Sequence, residues 1–220
     1  VPRSGSTAAL GRPSPGPVPT RARATSLPPS QRRAAIVEAT RPLLLAHGTA
    51  VTTRQIAEAA GIAEGTIFRV FADKDELLAA VVAAAMDPAP TETALRAIDH
   101  RLPLEERLAG GVRVLQQRVD LIWQVMTAAG MSMPSEERRA AARRRDAPEL
   151  LAVAALFEPD LDRLDRDPVD AAILLRSLTF AGCHPALVVG EPMTPDEIVG
   201  VLLDGIRARG PSHPCAPKAR

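Results

Sequence analysis

The chain has 220 residues, 46% of them hydrophobic, 24% charged and 2% aromatic, with a formal net charge of +1. With no Tyr, four Phe and one Trp, the core must be built from Ala, Leu, Val and Ile, which favours an all-α fold over a β-sandwich. Two cysteines, Cys183 and Cys215, exclude a disulfide framework and a Cys-rich zinc site, and no apolar run of about 18 residues or apolar leader segment is present, so a cytoplasmic chain outside the membrane is expected.

Residues 1–29 hold seven Pro, four Arg and no acid, without periodicity, and read as a disordered basic arm. The charge is uneven beyond that arm: up to Ala72 there are nine Arg against three acids, and afterwards 18 Lys and Arg against 23 Asp and Glu. The basic end is therefore the side suited to a polyanion. Arg3, Arg12, Arg21, Arg23, Arg32 and Arg33 lead into the first helix and suit a minor groove or phosphates.

From Ser30, Ile36, Ala39, Leu43, Leu44 and Ala46 lie near helical spacing until His47-Gly48, with a bend expected at Pro42. Thr52 and Gln55 form a capping-box pattern opening a short helix that ends at Gly61. A second short helix is predicted from Glu64 to about Phe71. Asp73 then caps a helix with Leu77, Leu78, Val81, Val82 and Ala85 on its apolar face. Residues 87–103 read as a partly ordered linker. Apolar positions from Leu104 to Met126 predict one long amphipathic helix to Ala129, with Gly110-Gly111 as its weak point. Further helices are expected at 148–157, from Asp167-Pro168 to Gly182, and from Thr194-Pro195 to about Arg209, ahead of a loose tail at 211–220.

The window from Thr52 to Lys74 has the form of a helix-turn-helix, whose second helix can enter the DNA major groove. Ile56, Ile62 and Ile67 are spaced to face inward, and Ala57, Ala60 and Gly61 permit close approach. Thr53, Arg54, Glu64, Thr66, Arg69 and Lys74 are left as polar positions for DNA: hydroxyls suit phosphate, Arg suits guanine or phosphate, and an acid can accept from cytosine N4. The plainer alternative is a set of solvated helix faces.

Residues 30–86, and above all the run from Thr53-Arg54-Gln55-Ile56 through Glu64-Gly65-Thr66-Ile67-Phe68-Arg69-Val70-Phe71 to Leu78, resemble the N-terminal domain of the tetracycline-repressor (TetR) family of bacterial regulators. The resemblance implies an all-helical homodimer: a three-helix DNA-binding head, a linking fourth helix ending near residue 86, and a helical effector-binding and dimerisation domain at 87–210. It also implies DNA contacts from Thr53, Arg54, Glu64, Gly65, Thr66, Phe68, Arg69, Val70 and Lys74. The family commonly has Tyr where this chain has Phe68, and a polar residue where it has Val70, so a hydroxyl donor to phosphate is missing here.

Beyond residue 90 the resemblance concerns architecture rather than sequence. Trp123, Met126, Met131, Met133, Phe157 and Phe180 could line a pocket for an unknown hydrophobic or amphipathic effector, or simply pack the core. Ile173, Leu174, Leu178 and Ala181, with Ile198, Val201, Leu202 and Ile206, offer more apolar surface than one small domain needs and could pair two copies in a four-helix bundle. Cys183-His184 alone does not make a metal site, and no cofactor is implied. The Arg138, Arg139, Arg143, Arg144 and Arg145 run reads as solvated and locally paired. The expectation is a one-component repressor that binds palindromic operator DNA as a homodimer and is released by a small molecule. Two alternatives remain: an effector-less DNA binder with a filled C-terminal core, and a helical enzyme or small-molecule carrier with an incidental helix-turn-helix.

Overall fold

The computed structural model describes residues 28–131, 144 and 147–206. Most of the arm, Met133, the arginines at 138, 139, 143 and 145, and the tail with Cys215 lie outside the described residues. Among those described the secondary structure is helical, with no strand.

Helix α1 spans Pro29–His47 and continues across Pro42. Pro42 is exposed. Ala46, expected on the apolar face, is also exposed, while Ile36, Val37, Thr40 and Leu44 are buried. After a 3-10 turn at Gly48–Ala50 come α2, Thr53–Ala59, and α3, Glu64–Ile67. Helix α4 covers Lys74–Ala85 and buries its whole predicted apolar face.

Residues 87–103, read as a linker, contain helix α5, Ala89–Arg96. Pro90 lies in its first turn, a position that suits a helix start, and burial of Thr91 and Leu95 holds this short segment helical. Helix α6 covers Leu104–Ala128, α7 Pro148–Ala154, α8 Pro168–Cys183 and α9 Pro195–Ile206, with a 3-10 segment at Glu158–Arg163.

Local capping follows the sequence closely. Gln55 N donates to Thr52 Oγ1 at 3.3 Å and Thr52 N to Gln55 Oε1 at 2.8 Å. Asp73 Oδ1 accepts from Glu76 N at 2.7 Å, and Asp167 Oδ1 from Val169 N at 2.9 Å. Thr194 and Glu197 repeat the reciprocal box at the start of α9.

Two apolar cores result. The first joins α1 to α4 around Ile36, Leu44, Ile56, Ile67, Phe71 and Leu77. The second joins α5 to α9 around Leu95, Leu108, Leu150, Phe157, Leu175 and Ile198. Helix α6 belongs to both: Leu104 to Leu115 lie in the second core, whereas Val125 and Met126 complete the first. The ten residues from Leu115 to Val125 carry it roughly 15 Å between them at helical rise.

Two arginines on α6 tie this arrangement together. Arg107 is 1% exposed and donates to the carbonyls of Leu156, His100 and Leu102 and to the Asp160 carboxylate. That pairing, with help from Arg163, holds the Asp160 carboxyl below the usual carboxylate range. Arg118 donates to the carbonyls of Met86 and Asp87 just beyond α4, and pairs with Glu149 of α7 at 3.2 Å. The end of the fourth helix is thereby fastened to the second core.

Candidate nucleic-acid interface

Helix α2 ends on a Schellman motif: Gly61, at φ 65°, donates to Glu58 O, and Ile62 N donates to Ala57 O. The left-handed backbone at Gly61 turns the chain toward α3, which starts three residues later. Ile56 and Ile67 are wholly buried between the two helices and α1, and Ile62 is half-buried beside them. One side of α3 is thus fixed in the core.

The other side is bare. Glu64, Gly65, Phe68 and Arg69 are exposed, Phe68 to 51%, and Thr66 is half-buried. Arg54 is exposed on α2 and Thr53 half-buried beside it. The helix itself is shorter than expected, ending at Ile67 rather than Phe71. Phe71 turns inward to 1% exposure, and the carbonyl of Val70 accepts from Arg33 Nη1 at 3.2 Å, so this backbone group is satisfied without a further helical turn.

A large aromatic on an exposed surface, flanked by an arginine and a threonine, suits sugar, thymine methyl and phosphate contacts. A sequence model for bacterial regulatory proteins of the tetR family matches residues 36–81, which run from within α1 through most of α4. Over that stretch the chain is similar to the DNA-binding heads of the tetR family. The matched stretch is thus similar to the part of bacterial transcriptional regulators that carries the helix-turn-helix.

Solved structures share the tetR fold over most of both chains. A candidate TetR-family regulator from Mesorhizobium loti aligns with a TM-score of 0.53 at 16% identity, covering 83% of this chain and 100% of that one. A TetR-family regulator from Haemophilus influenzae gives 0.51 at 17%, covering 81% and 98%. A candidate transcriptional regulator from Pseudomonas aeruginosa gives 0.50 at 23%, covering 81% and 91%.

Within this head, not every residue implied by the resemblance is equally free. Val70 packs half-buried against the first core. Lys74 Nζ donates to Thr49 O at 2.6 Å, tying the start of α4 to the 3-10 turn. Thr53 Oγ1 donates to Glu64 Oε1. Arg33, expected with the basic arm, belongs to α1: it pairs with Glu76 at 3.1 Å and lies over the Phe71 ring at 4.2 Å. Glu76 also accepts from Ala72 N, and this bond, with the Arg33 pairing, holds its carboxyl below the ordinary glutamate value. Sequence spacing gives no hint of that pair, since the partners lie on different helices.

The residues expected at an effector pocket do not converge. Met126 is buried in the first core, Phe157 is wholly buried in the second, and Met131 is exposed past the end of α6. Trp123 and Phe180 each pack against His184, with centroids 4.9 Å and 4.5 Å from the imidazole. His184 follows Phe180 by four residues, one helical turn, and that spacing was the available signal. Neighbouring Cys183 is buried, and desolvation, reinforced by Asp120, pushes its thiol up to about 11, which makes it a poor nucleophile.

The residues expected to pair two copies divide in the same way. Ile198 and Leu202 are buried in the protomer's own second core, so they have no surface to offer a partner. Their side of α9 faces α6 and α8, because those helices leave an apolar groove that one face of α9 must fill. Val201 is 53% exposed, Ala181 is exposed, and Ile173, Leu174 and Leu178 are half-buried. The side chain of Ile206 lies outside the described residues.

Proposed function

We propose that this chain is a tetR-family repressor that binds a two-fold symmetric operator as a homodimer, placing α3 of each subunit in successive major grooves, and that a small-molecule effector releases it. The observation that carries the reading is the two-sidedness of α3: Ile67 is wholly buried, whereas Glu64, Gly65, Phe68 and Arg69 stand in solvent. Phosphate contacts would come from Arg54, Thr66 and Arg69, with Phe68 against sugar or thymine methyl. The head would be residues 30–86 and the effector-binding and dimerising part residues 87–210, acting on cytoplasmic DNA.

Pairing through the outer faces of α8 and α9 is supported by exposed Ala181 and Val201 and half-buried Leu174 and Leu178. Release is supported by α6, which contributes to both cores and is fastened by Arg118 to the end of α4. A ligand that favours one setting of these helices over another weakens operator binding by the factor by which DNA weakens ligand binding. An effector would bind near Trp123, Phe180 and His184, where apolar rings meet beside solvent.

The test is selection of bound fragments from genomic DNA, followed by a mobility-shift screen of metabolites that release them. Enrichment of one palindromic sequence, bound by two chains, is expected. A protein that remains monomeric on its selected DNA overturns the dimer, and one that enriches no sequence overturns the reading.

A further inference from the structure

We propose that Glu64 selects a cytosine in each operator half-site, its carboxylate accepting from the exocyclic N4 amino group, and that Thr53 is the positioning residue that aims it. The inference rests on the DNA-binding reading above and concerns which base that surface chooses.

Glu64 is the first residue of α3 and is exposed on the helix that would enter the groove. Its partner among the described residues is the Thr53 hydroxyl at the start of α2, which donates to Oε1. Among the described residues no ion pair neutralises it. The bond has two consequences. It restrains a flexible side chain in one direction, and it uses the only proton of Thr53, so that this hydroxyl cannot also donate to a phosphate. A carboxylate retains acceptor capacity after one such bond.

An acid on this surface is otherwise a liability. The chain up to Ala72 carries nine Arg and three acids, as suits a polyanion, and each nearby phosphate repels the Glu64 carboxylate. The repulsion is offset only where DNA offers a donor. In the major groove the base donors are cytosine N4 and adenine N6. Adenine places the N7 lone pair beside N6, which repels a carboxylate, whereas cytosine places a C–H beside N4. Cytosine is therefore the base this group accepts best.

The experiment selects random duplexes with the full chain and with Glu64→Ala, Glu64→Gln, Thr53→Val and Thr53→Ser, each checked for folding by thermal melting. The wild-type pool should show cytosine at one position of each half-site, and Glu64→Ala should lose that preference by about tenfold while binding unrelated DNA more tightly. Glu64→Gln should shift the position toward adenine, since an amide can donate to N7 as it accepts from N6. Thr53→Val should blunt the preference and Thr53→Ser retain it. Wild-type and Glu64→Ala pools that agree at every position overturn the assignment to Glu64. Equal preferences in Thr53→Val and wild type overturn the positioning role. A wild-type chain that selects no sequence at all is the separate failure of the DNA-binding reading. If Thr53→Val does not fold, the serine and Glu64 variants decide alone.

Discussion

The guanidinium of Arg33 lies 4.2 Å from the centroid of the Phe71 ring, and from that position it reaches both Glu76 and the carbonyl of Val70. One side chain of α1 thus clamps the segment that follows the proposed reading helix. The clamp fixes where Phe68 and Arg69 project without touching DNA itself.

Its carboxylate partner makes the head sensitive to acid. The Glu76 carboxyl is held low in the folded state, so its contribution is fully present above the ordinary glutamate value and is lost as pH falls through the depressed one. Glu76→Gln should lower the melting temperature at neutral pH and flatten the decline of stability on acidification. Arg33→Ala should cost more, because it also removes the ring contact, worth about 0.5–1 kcal/mol. Melting curves from pH 7 down to roughly pH 3 check both, and identical slopes for wild type and Glu76→Gln would count against the pair.

The adjacent glycines of α6 should respond oppositely to alanine. A Cβ on Gly111 would sit 2.6 Å from Leu156 Cδ1, and Leu156 is wholly buried, so the core around it must shift. Overpacking of this kind costs roughly 1–3 kcal/mol and outweighs the helix-propensity gain of about 1 kcal/mol. At Gly110 the nearest atom is Ile98 Cδ1 at an ordinary 3.5 Å. Denaturant titration should show Gly111→Ala less stable than wild type and Gly110→Ala more stable by about 0.5–1 kcal/mol. Of the two glycines expected to be the weak point of the helix, Gly111 is thus the one against which Leu156, just past α7, packs tightly.

On selected operator DNA, Thr66→Ala and Arg69→Ala should each weaken binding about tenfold without changing the melting temperature, through lost phosphate or base contacts. Phe68→Tyr should strengthen it, because the ring is exposed and the added hydroxyl gains a phosphate acceptor. Mobility shifts at fixed salt measure all three. Unchanged affinity in both alanine variants would refute the proposed surface.

Position within α9 distinguishes core from interface. Val201→Asp should yield a folded monomer, since the side chain is half in solvent in the single chain. Ile198→Asp should unfold the second core, because it would bury an unpaired charge. Sedimentation together with circular dichroism separates the outcomes, and a Val201→Asp protein that still dimerises moves the interface elsewhere.

Much of this fold was legible because its signals are local. Thr52 with Gln55, Asp73 with Glu76, Asp167 with Val169, and Thr194 with Glu197 each act within one turn, so the sequence alone placed these helix starts. Gly61 and the buried isoleucines about it likewise made the helix-turn-helix readable. Tertiary structure decided the rest. It made α5 from an apparent linker by burying Leu95, ended α3 early by turning Phe71 inward, and sent Ile198 and Leu202 into the protomer rather than toward a partner. It also brought Arg33 to Glu76 and Trp123 to His184. Hydrophobic periodicity says that a helix has an apolar face but not what covers it, and the choice of cover depends on residues that only the folded chain makes neighbours.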